Sequence, residues 1–456
     1  MKKSVLAIDI GSTKICAIIA EIDAEGAVQI TGAGFVRSQG IKKGSITNIE
    51  LASKAIKSAL SDAKRVAGTE IKRAIVSISG AYTKSLNSSG IVNIPNREIT
   101  FKEISRVMHT SLYNANIPNE YEVLHTLPYN FIVDDQEFIE DPLGMNASRL
   151  EVETHIITTQ KSNLNNLKKA VRGAGVEVDN VVLSGYASAI AVLNDDEKEL
   201  GAAVIDMGGH TCDVVIHSGN AIRYNDFLGV GSHHITSDLS MALHTPLNIA
   251  ETVKIKYGSL SEPSDDLIEL PMIGDEDTTH EVSLGVVHNV IYARVEETLM
   301  ILAQSLEKSG LREQLGAGIV LTGGFTKLEG IRDLAVAIFD NVPVRLAKPG
   351  EIDGLFDTLK EPATATAIGL VKYAAGRYAP YEIDVNRQVR YRNEEPLEKP
   401  DLAEPSVHQE PTAPERPLPP SEEAAKIRIK SFDEKKNESK GAGIGSKFWN
   451  WITQLF

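Results

Sequence analysis

A strand that ends in Asp-x-Gly and turns directly into a second strand occurs twice in this chain, and this repeat constrains the fold most. The first copy runs from Val5–Ile10 to Ile15–Ile19 and the second from Ala203–Asp206 to Cys212–Ile216. Two β-branched runs joined by a short glycine turn are typical of a β-hairpin. The copies lie about 200 residues apart, whereas solenoid repeats recur every ~20–50 residues. We therefore expect two related lobes.

Around the two hairpins, strand-like runs alternate with helical patterns, which is typical of an α/β architecture. Tyr82–Gln160 is less regular and is predicted to form an inserted small domain. The acidic, turn-rich segment Ser264–Glu281 is expected to be a surface loop. Further predicted elements are helices at Leu51–Ala67, Phe101–Tyr113 and Val286–Ser309 and strands at Ile71–Ile78, Glu151–Thr158 and Ile319–Leu321.

The charge balance excludes nucleic-acid binding as the main role. The chain has 47 Lys and Arg residues against 62 Asp and Glu residues, a net charge of -15, and so negative a surface repels phosphate backbones. The two cysteines, Cys16 and Cys212, are too few for a disulfide framework and indicate a reducing compartment. We expect both to be structural thiols.

The N-terminal sequence is expected to be part of the folded chain. Asp9 and Lys14 interrupt its apolar run, whereas a secretory signal needs an unbroken apolar stretch of ~7–15 residues. No stretch approaches the ~20 apolar residues that span a bilayer. We therefore expect a cytoplasmic protein.

Three glycine turns combine the residue types of a nucleotide cleft. In the first, backbone N–H groups after Gly11 can cradle phosphate oxygens, Lys14 adds a positive charge, and Ser12 and Thr13 add hydroxyl donors. Asp9 is expected to hold Mg²⁺ through water, because Mg²⁺ dehydrates reluctantly. One such turn alone would favour an ordinary hairpin.

The second and third turns supply matching parts. Asp206 precedes the second turn and is the second candidate for Mg²⁺. The predicted phosphate-binding residues of this turn are Gly208, Gly209, His210 and Thr211. We expect His210 to contribute through its backbone. In the third turn, Gly323, Gly324 and Phe325 would let the backbone approach an adenosine, because glycine has no Cβ. Three turns in this order, two of them led by aspartate, favour a nucleotide cleft.

These turns resemble those of the actin, sugar-kinase and heat-shock chaperone superfamily. IDIGSTK, IDMGGHTCDVV and VLTGGFTKLEGI follow the order of its two phosphate loops and its adenosine loop. Leu183–Leu193 and Ala365–Ala374 resemble its two small-residue connecting helices, and Ala250-Glu251 with Lys254 resembles the pair that reaches the adenosine in actin-like filament proteins. The whole chain is similar to the FtsA family of bacterial cell-division proteins. The specific features are the inserted domain, the sequence GIVLTGGFTKLEGI and the C-terminal tail.

The resemblance implies an actin-like two-lobed α/β fold built from ribonuclease H-like repeats. It also implies an inserted small α+β domain, a disordered linker and a C-terminal amphipathic helix. The implied division is 1–82 subdomain 1A (first part), 83–162 inserted subdomain 1C, 163–194 subdomain 1A (continued), 195–229 subdomain 2A (first part), 230–316 subdomain 2B, 317–364 subdomain 2A (continued), 365–390 subdomain 1A (end), 391–443 linker and 444–456 membrane-binding helix.

The family also implies partners. These are ATP with Mg²⁺ between the lobes, other copies of the chain in a homopolymer, later cell-division membrane proteins, and the C-terminal peptide of the tubulin-like FtsZ on subdomain 2B. Arg294 stands where the family carries a peptide-contacting arginine. A second interpretation stays open, in which Arg294 pairs with Glu296 or Glu297 on the helix surface for ~0.2–0.5 kcal/mol per pair.

No catalytic residue is assigned. Related filament formers begin the first connecting helix with Glu-Pro, whose carboxylate helps to position the hydrolytic water, but Ser184-Gly185 stands there in this chain. A serine hydroxyl is a poor base without an adjacent activator. We therefore expect ATP to bind well and to be hydrolysed slowly.

The tail is predicted to tether the protein to a membrane. Asn393–Lys440 is rich in proline and charge, with eight of the 19 prolines in Pro396–Pro420, which is typical of a disordered linker. On a helix, the residues after it would form an apolar face with interfacial tryptophans, typical of an anchor in the bilayer surface. The expected membrane residues are Ile444, Phe448, Trp449, Trp451, Ile452, Leu455 and Phe456. The alternative is a helix that docks on the protein's own core.

Other interpretations remain. His233-His234 is expected to lie in a surface loop, because adjacent side chains point in different directions and no further metal-ligand pattern follows. An enzyme of the same fold, a sugar-kinase-like or phosphatase-like protein, is one rival function. A pilus-assembly adaptor of similar fold is the other, and it would lack the terminal amphipathic helix.

Overall fold

The structure is a computed structural model that describes residues 2–219, 221–340, 342–354, 356–376 and 378–391. The predicted linker beyond Tyr391 and the predicted helix Ile444–Phe456 lie outside the described residues. The strands are β1 (Lys3–Ile10), β2 (Lys14–Ile22), β3 (Val28–Arg37), β4 (Ile41–Lys42), β5 (Ser45–Ile46), β6 (Arg73–Ile78), β7 (Thr83–Asn93), β8 (Tyr121–Val133), β9 (Gln136–Ile139), β10 (Arg149–Gln160), β11 (Glu177–Leu183), β12 (Ala202–Met207), β13 (Cys212–Ser218), β14 (Ala221–Leu228), β15 (Leu267–Met272), β16 (Asp275–Ser283), β17 (Gly318–Thr322), β18 (Val344–Leu346), β19 (Tyr381–Ile383) and β20 (Val389–Tyr391). The helices are α1 (Ile49–Ala67), α2 (Phe101–Asn114), α3 (Lys161–Gly173), α4 (Ser184–Val192), α5 (Asp195–Leu200), α6 (Ser232–Ala242), α7 (Leu247–Tyr257), α8 (Leu284–Lys308), α9 (Ile331–Ile338) and α10 (Ala365–Ala374), with short 3₁₀ helices at Arg312–Gln314, Gly324–Lys327, Asp357–Leu359 and Pro362–Thr364.

The two lobes contain sheets of the same topology. The strand order is β11-β6-β1-β2-β3 in the first lobe and β18-β17-β12-β13-β14 in the second. In each sheet three antiparallel strands form a meander, and the remaining strands run parallel to its first strand. This confirms the two related lobes that the repeated hairpin predicts.

The segment between the lobes forms a sheet of its own. Its strand order is β20-β19-β8-β10-β7, with β9 paired to β8, and α2 packs its apolar face on β7 and β10. The predicted division puts 365–390 in the first lobe, but the structure joins β19 and β20 to the sheet of the inserted segment. His125 of β8 and Glu382 of β19, both buried, are hydrogen-bonded at 2.6 Å between Nδ1 and Oε1.

The segment predicted as a surface loop, Ser264–Glu281, is a β-hairpin, so that expectation is wrong. Strands β15 and β16 pair in antiparallel register, and Gly274 takes the left-handed conformation that the tight turn requires, with φ 86°. Leu270 and Val282 are buried against the second lobe. The exposed acidic residues between them hide the alternating strand pattern in the sequence.

Helices α4 and α10 are in contact. They lie in Leu183–Leu193 and Ala365–Ala374, the segments that resemble the connecting helices of the superfamily. A Cβ built on Gly369 would overlap the carbonyl oxygen of Ala187 and lie 3.0 Å from its Cα. Ser188 and Thr366 on the same two helices share a hydrogen bond of 2.9 Å. Among the described residues, no helix is long and apolar enough to cross a membrane.

Gly369→Ala is expected to destabilise the fold although alanine is the better helix former. Helix propensity alone would stabilise α10 by about 1 kcal/mol. The added methyl group instead pushes against the backbone of α4, and overpacking of this kind costs about 1–3 kcal/mol. Urea unfolding of the variant should show the net loss. Gly350→Ala is the control, because its methyl group would meet the flexible end of Lys372 at 3.3 Å and the Ala191 carbonyl oxygen at an ordinary contact distance of 3.9 Å. A rise in stability for Gly369→Ala would contradict the tight crossing.

Candidate functional site

A cleft of ≈ 260 Å³ lies between the two hairpin turns. Twelve of the predicted nucleotide-site residues line it: Asp9, Gly11, Ser12, Thr13, Lys14, Asp206, Gly208, Gly209, His210, Thr211, Gly323 and Gly324. The three turns therefore come together, although they are far apart in the sequence. Which of these residues contact a ligand stays a prediction.

The first two turns are built alike. The Gly11 N–H donates to the Lys14 carbonyl at 3.1 Å, and the Gly208 N–H donates to the Thr211 carbonyl at 2.8 Å. The turns also face each other closely, since a Cβ built on Gly209 would overlap the hydroxyl of Thr13 and lie 3.1 Å from its Cβ. Glycine at 209 is thus what lets the second turn approach the first.

Three aspartates carry the negative charge of the cleft. Burial raises the pKa of Asp9 to about 6, while Lys14 and a hydrogen bond from Ser77 oppose the rise. Burial also raises the pKa of Asp206. Asp213 is paired with Asp206 across the second hairpin, and burial together with the Asp206 charge raises its pKa to about 7. A cation in the cleft would stabilise the ionised carboxylates.

Hydrogen bonds from three elements fix the two predicted magnesium carboxylates. The Ser77 hydroxyl donates to Asp9 Oδ1 at 2.9 Å. The Ser188 hydroxyl donates to Asp206 Oδ2, and the Thr366 hydroxyl donates to the same oxygen at 3.1 Å. In the described part of the chain no three His, Cys, Asp or Glu side chains converge as a direct metal cage. The donor set suits Mg²⁺, which keeps several waters and takes its other ligands from phosphates.

Three predicted nucleotide residues lie at the margin of the cleft or outside it. Lys254 and Glu251 form an ion pair of 2.7 Å, and Lys254 Nζ also donates to the carbonyl of Ser232 at 3.2 Å. Ser232 lines the cleft, so the pair on α7 reaches it through α6. The Phe325 side chain is buried in the core of the second lobe, so that only its backbone is available to a ligand.

The histidine pair His233-His234 does not lie in a surface loop, and that expectation is wrong. Both residues lie in the first turn of α6, which begins at Ser232. The ring of His233 stacks on the ring of His210, with centroids 4.5 Å apart, and the Gly231 N–H donates to His234 Nδ1 at 3.2 Å. The glycines before the pair suggest a loop, whereas they form the turn into a helix.

Arg294, the predicted peptide contact, is engaged within its own subdomain. Its guanidinium binds Asp238 of α6 through Nε at 2.5 Å and Nη2 at 3.1 Å. It also pairs with Glu297, one helical turn along α8. The ion pair between Arg294 and Glu297, the alternative interpretation of Arg294, is therefore observed. The peptide contact stays a prediction.

The sequence analysis did not identify Asp213 as a cleft residue, and it named no hydrogen-bond partner for Ser184. Asp213 lines the cleft, and its Oδ1 accepts the Gly80 N–H at 2.9 Å, which joins the second lobe to the segment between β6 and β7. The signal was the hairpin itself, because its register places Asp213 opposite Asp206. The Ser184 hydroxyl also lines the cleft and donates to the Ile78 carbonyl at 3.1 Å.

Comparison with known proteins gives a consistent result. A family model described as "SHS2 domain inserted in FTSA" matches residues 80–158, and one described as "Cell division protein FtsA" matches residues 203–369. The cell division protein FtsA of Helicobacter pylori (strain ATCC 700392 / 26695) is 40% identical over 498 residues, which covers 100% of this chain and 99% of that protein. The FtsA proteins of Pseudomonas aeruginosa and Escherichia coli K12 are 38% and 32% identical, covering 81% and 85% of this chain and 89% and 94% of theirs.

Solved structures show the same fold at low sequence identity. A chain of the PilM–PilN type IV pilus biogenesis complex matches with a TM-score of 0.59 and 17% identity, covering 81% of this chain and 98% of its own. MreB5 of Spiroplasma citri bound to ADP matches with a TM-score of 0.50 and 14% identity, covering 81% of this chain and 95% of its own. The two-lobed architecture is therefore actin-like.

Proposed function

The chain belongs to the FtsA family of cell-division proteins, and from this premise we propose that it binds ATP with Mg²⁺ and tethers the FtsZ ring to the membrane. In this proposal the protein polymerises with itself, carries the C-terminal peptide of FtsZ on its second lobe and recruits later division proteins. It acts as a peripheral protein on the cytoplasmic side of the cell membrane, at the division septum.

The single observation that carries the ATP proposal is the contact between the first two glycine turns, those after Asp9 and Asp206. Gly209 of the second lobe lies against Thr13 of the first, and Lys14, Asp9 and Asp206 are among the residues that line the cleft there. The turn amides and Lys14 would hold the phosphates, and Asp9 and Asp206 would hold Mg²⁺ through water. When bound, ATP would supply phosphate charges that both lobes contact at once.

Slow hydrolysis follows from the same geometry. The Ser184 hydroxyl donates its proton to the Ile78 carbonyl, and a backbone carbonyl does not activate a hydroxyl as a carboxylate or imidazole base would. The Asp213 carboxylate accepts a backbone N–H and is the acidic group in the cleft that a rival kinase-like or phosphatase-like enzyme would use. A screen for phosphoryl transfer from ATP to small molecules separates that rival from the tethering function.

The FtsZ peptide proposal rests on the family position of Arg294 and on its surroundings. The side chain is 17% exposed, and Met241 of α6 and Met300 of α8 are exposed on the same subdomain. Exposed methionines adapt to apolar peptide side chains. Arg294 would supply the charged hydrogen bonds to the peptide.

Arg294→Met is expected to weaken binding of the FtsZ C-terminal peptide by about tenfold or more, since a hydrogen bond to a charged group contributes ~1.5–3 kcal/mol. Asp238→Asn is the matched control, because it loosens the same ion pair but keeps the guanidinium. Peptide affinity is measured by fluorescence anisotropy, and co-sedimentation with liposomes with and without Mg-ATP tests the whole function. If both variants lose affinity equally, Arg294 only stabilises the subdomain and the peptide contact is wrong.

A further inference from the structure

We propose that His210 donates a hydrogen bond from Nε2–H to a phosphoryl oxygen of the nucleotide, and that His233 acts as a positioning residue that holds the His210 ring by stacking. This inference rests on the proposed binding of ATP in the cleft. It gives the side chain of His210 a role where the sequence predicts only a backbone contribution.

The ring of His210 is held beside the second turn by a stack with a neighbouring ring. His210 lines the cleft between Gly209, which abuts Thr13, and Thr211. Its ring lies against that of His233 with centroids 4.5 Å apart and an angle of 27° between the planes. Aromatic rings in offset stacks at this distance attract each other, so the stack restricts the orientation of His210.

The backbone at the start of α6 does not compete for this role. The Ser232 N–H donates to the Gly208 carbonyl at 3.1 Å, and the His233 N–H donates to the Gly209 carbonyl at 2.7 Å. The next amide, that of His234, donates to the Gly231 carbonyl at 2.9 Å. The first amides of the helix therefore bind the second turn and Gly231 and are not free to bind an anion themselves.

The surroundings of the ring select its tautomer. Within the described residues, His210 Nδ1 is enclosed and has no hydrogen-bond partner. A neutral imidazole carries its proton on one nitrogen, and an N–H enclosed without an acceptor is costly. The proton is therefore more stable on Nε2, and in this proposal the Nε2–H group donates to the phosphoryl oxygen.

Both stacked rings are neutral at neutral pH. Burial, the neighbouring His233 and His234 on α6, and the charges of Lys254 on α7 and Lys42 on β4 together lower the pKa of His210 to about 4. Burial also lowers the pKa of His233; Lys254 and Arg37 of β3 add to this effect, whereas Glu251 opposes it. Neutral rings stack without charge repulsion, and His210 acts as a neutral donor.

The test measures ATP affinity of the full-length chain in the presence of Mg²⁺ by isothermal titration calorimetry at neutral pH. His210→Phe keeps the stacking ring but loses the donor, and we expect it to weaken ATP binding by about tenfold. His210→Gln keeps a neutral N–H donor and should stay within about threefold of the unmodified protein. His109→Ala, at an exposed position on α2, is the control and should not change the affinity.

The role of His233 has its own comparison. His233→Ala removes the stacked ring and should weaken ATP binding by a few fold, whereas His233→Phe restores a stacked ring and should restore the affinity. Failure of phenylalanine to rescue would show that His233 does not act by stacking. Affinity for ATP that is unchanged in His210→Phe would overturn the inference while leaving ATP binding intact. If the unmodified protein binds no ATP, the proposed function itself fails.

Discussion

Replacing Gly209 by valine is expected to abolish ATP binding while the chain stays folded. A Cβ at this position would overlap the hydroxyl of Thr13, and the branched side chain of valine needs more room than a single methyl group. The two turns must then separate. A site in which both turns hold one phosphate chain loses contacts from one lobe, and the affinity should fall by more than about a hundredfold, the equivalent of two charge-assisted hydrogen bonds.

Calorimetric titration with Mg-ATP measures this loss, and circular dichroism with urea unfolding verifies the fold. Gly229→Ala is the matched control in the same lobe, because its methyl group would find only a ring atom of Phe227 at 3.8 Å. A second variant that combines Thr13→Ala with Gly209→Ala removes the hydroxyl that causes the overlap and should recover part of the affinity. If Gly209→Val bound ATP with the affinity of the unmodified protein, the two turns would not bind the nucleotide together.

The repeated hairpin was predictable because its information is local. β-branched residues on both sides of a glycine turn specify antiparallel strands, and the observed register pairs Asp9 with Cys16 and Asp206 with Asp213. The two small-residue helices were identified from their resemblance to the connecting helices of the superfamily, and their glycine and alanine residues permit the close approach that the structure shows. Both features depend on the residue types within one segment.

Features that depend on distant partners were not predictable. The hairpin of β15 and β16 is anchored by Leu270 and Val282 on the second lobe, while its charged residues dominate the sequence pattern. Likewise, β19 and β20 are too short to be recognised alone. They join the sheet of the inserted segment through Ile383 paired with Thr126 and the buried hydrogen bond from His125 to Glu382.

The cleft residues also fall into those that the sequence predicts and those that it does not. Asp9 and Asp206 were identified because each ends a strand before a glycine turn. His233 was missed because two adjacent histidines after glycines give no sign of a helix start. Its contact with His210 arises only when α6 folds back on the second turn, where the His233 N–H binds the Gly209 carbonyl.

Trp451→Glu is expected to release the full-length protein from liposomes. Trp451 lies in the predicted anchor Ile444–Phe456, which is outside the described residues, so this prediction rests on the sequence pattern. Removing a buried apolar side chain costs about 1.5–3 kcal/mol, and placing a carboxylate in the acyl boundary adds to it. A total near 3 kcal/mol lowers the partition coefficient by roughly a hundredfold. With one cationic residue, Lys447, the helix has little electrostatic attraction to replace the lost contact.

Thr453→Glu is the matched control, because it adds the same charge on the opposite, polar face of the predicted helix. Sedimentation with liposomes should retain Thr453→Glu and lose both Trp451→Glu and a chain truncated at Ser446. The body of the protein cannot compensate, since its surface carries much of the net charge of -15 and is repelled by anionic lipids. If the truncated chain sediments normally but unfolds at lower urea concentration, the helix docks on the protein's own core and the anchor is wrong.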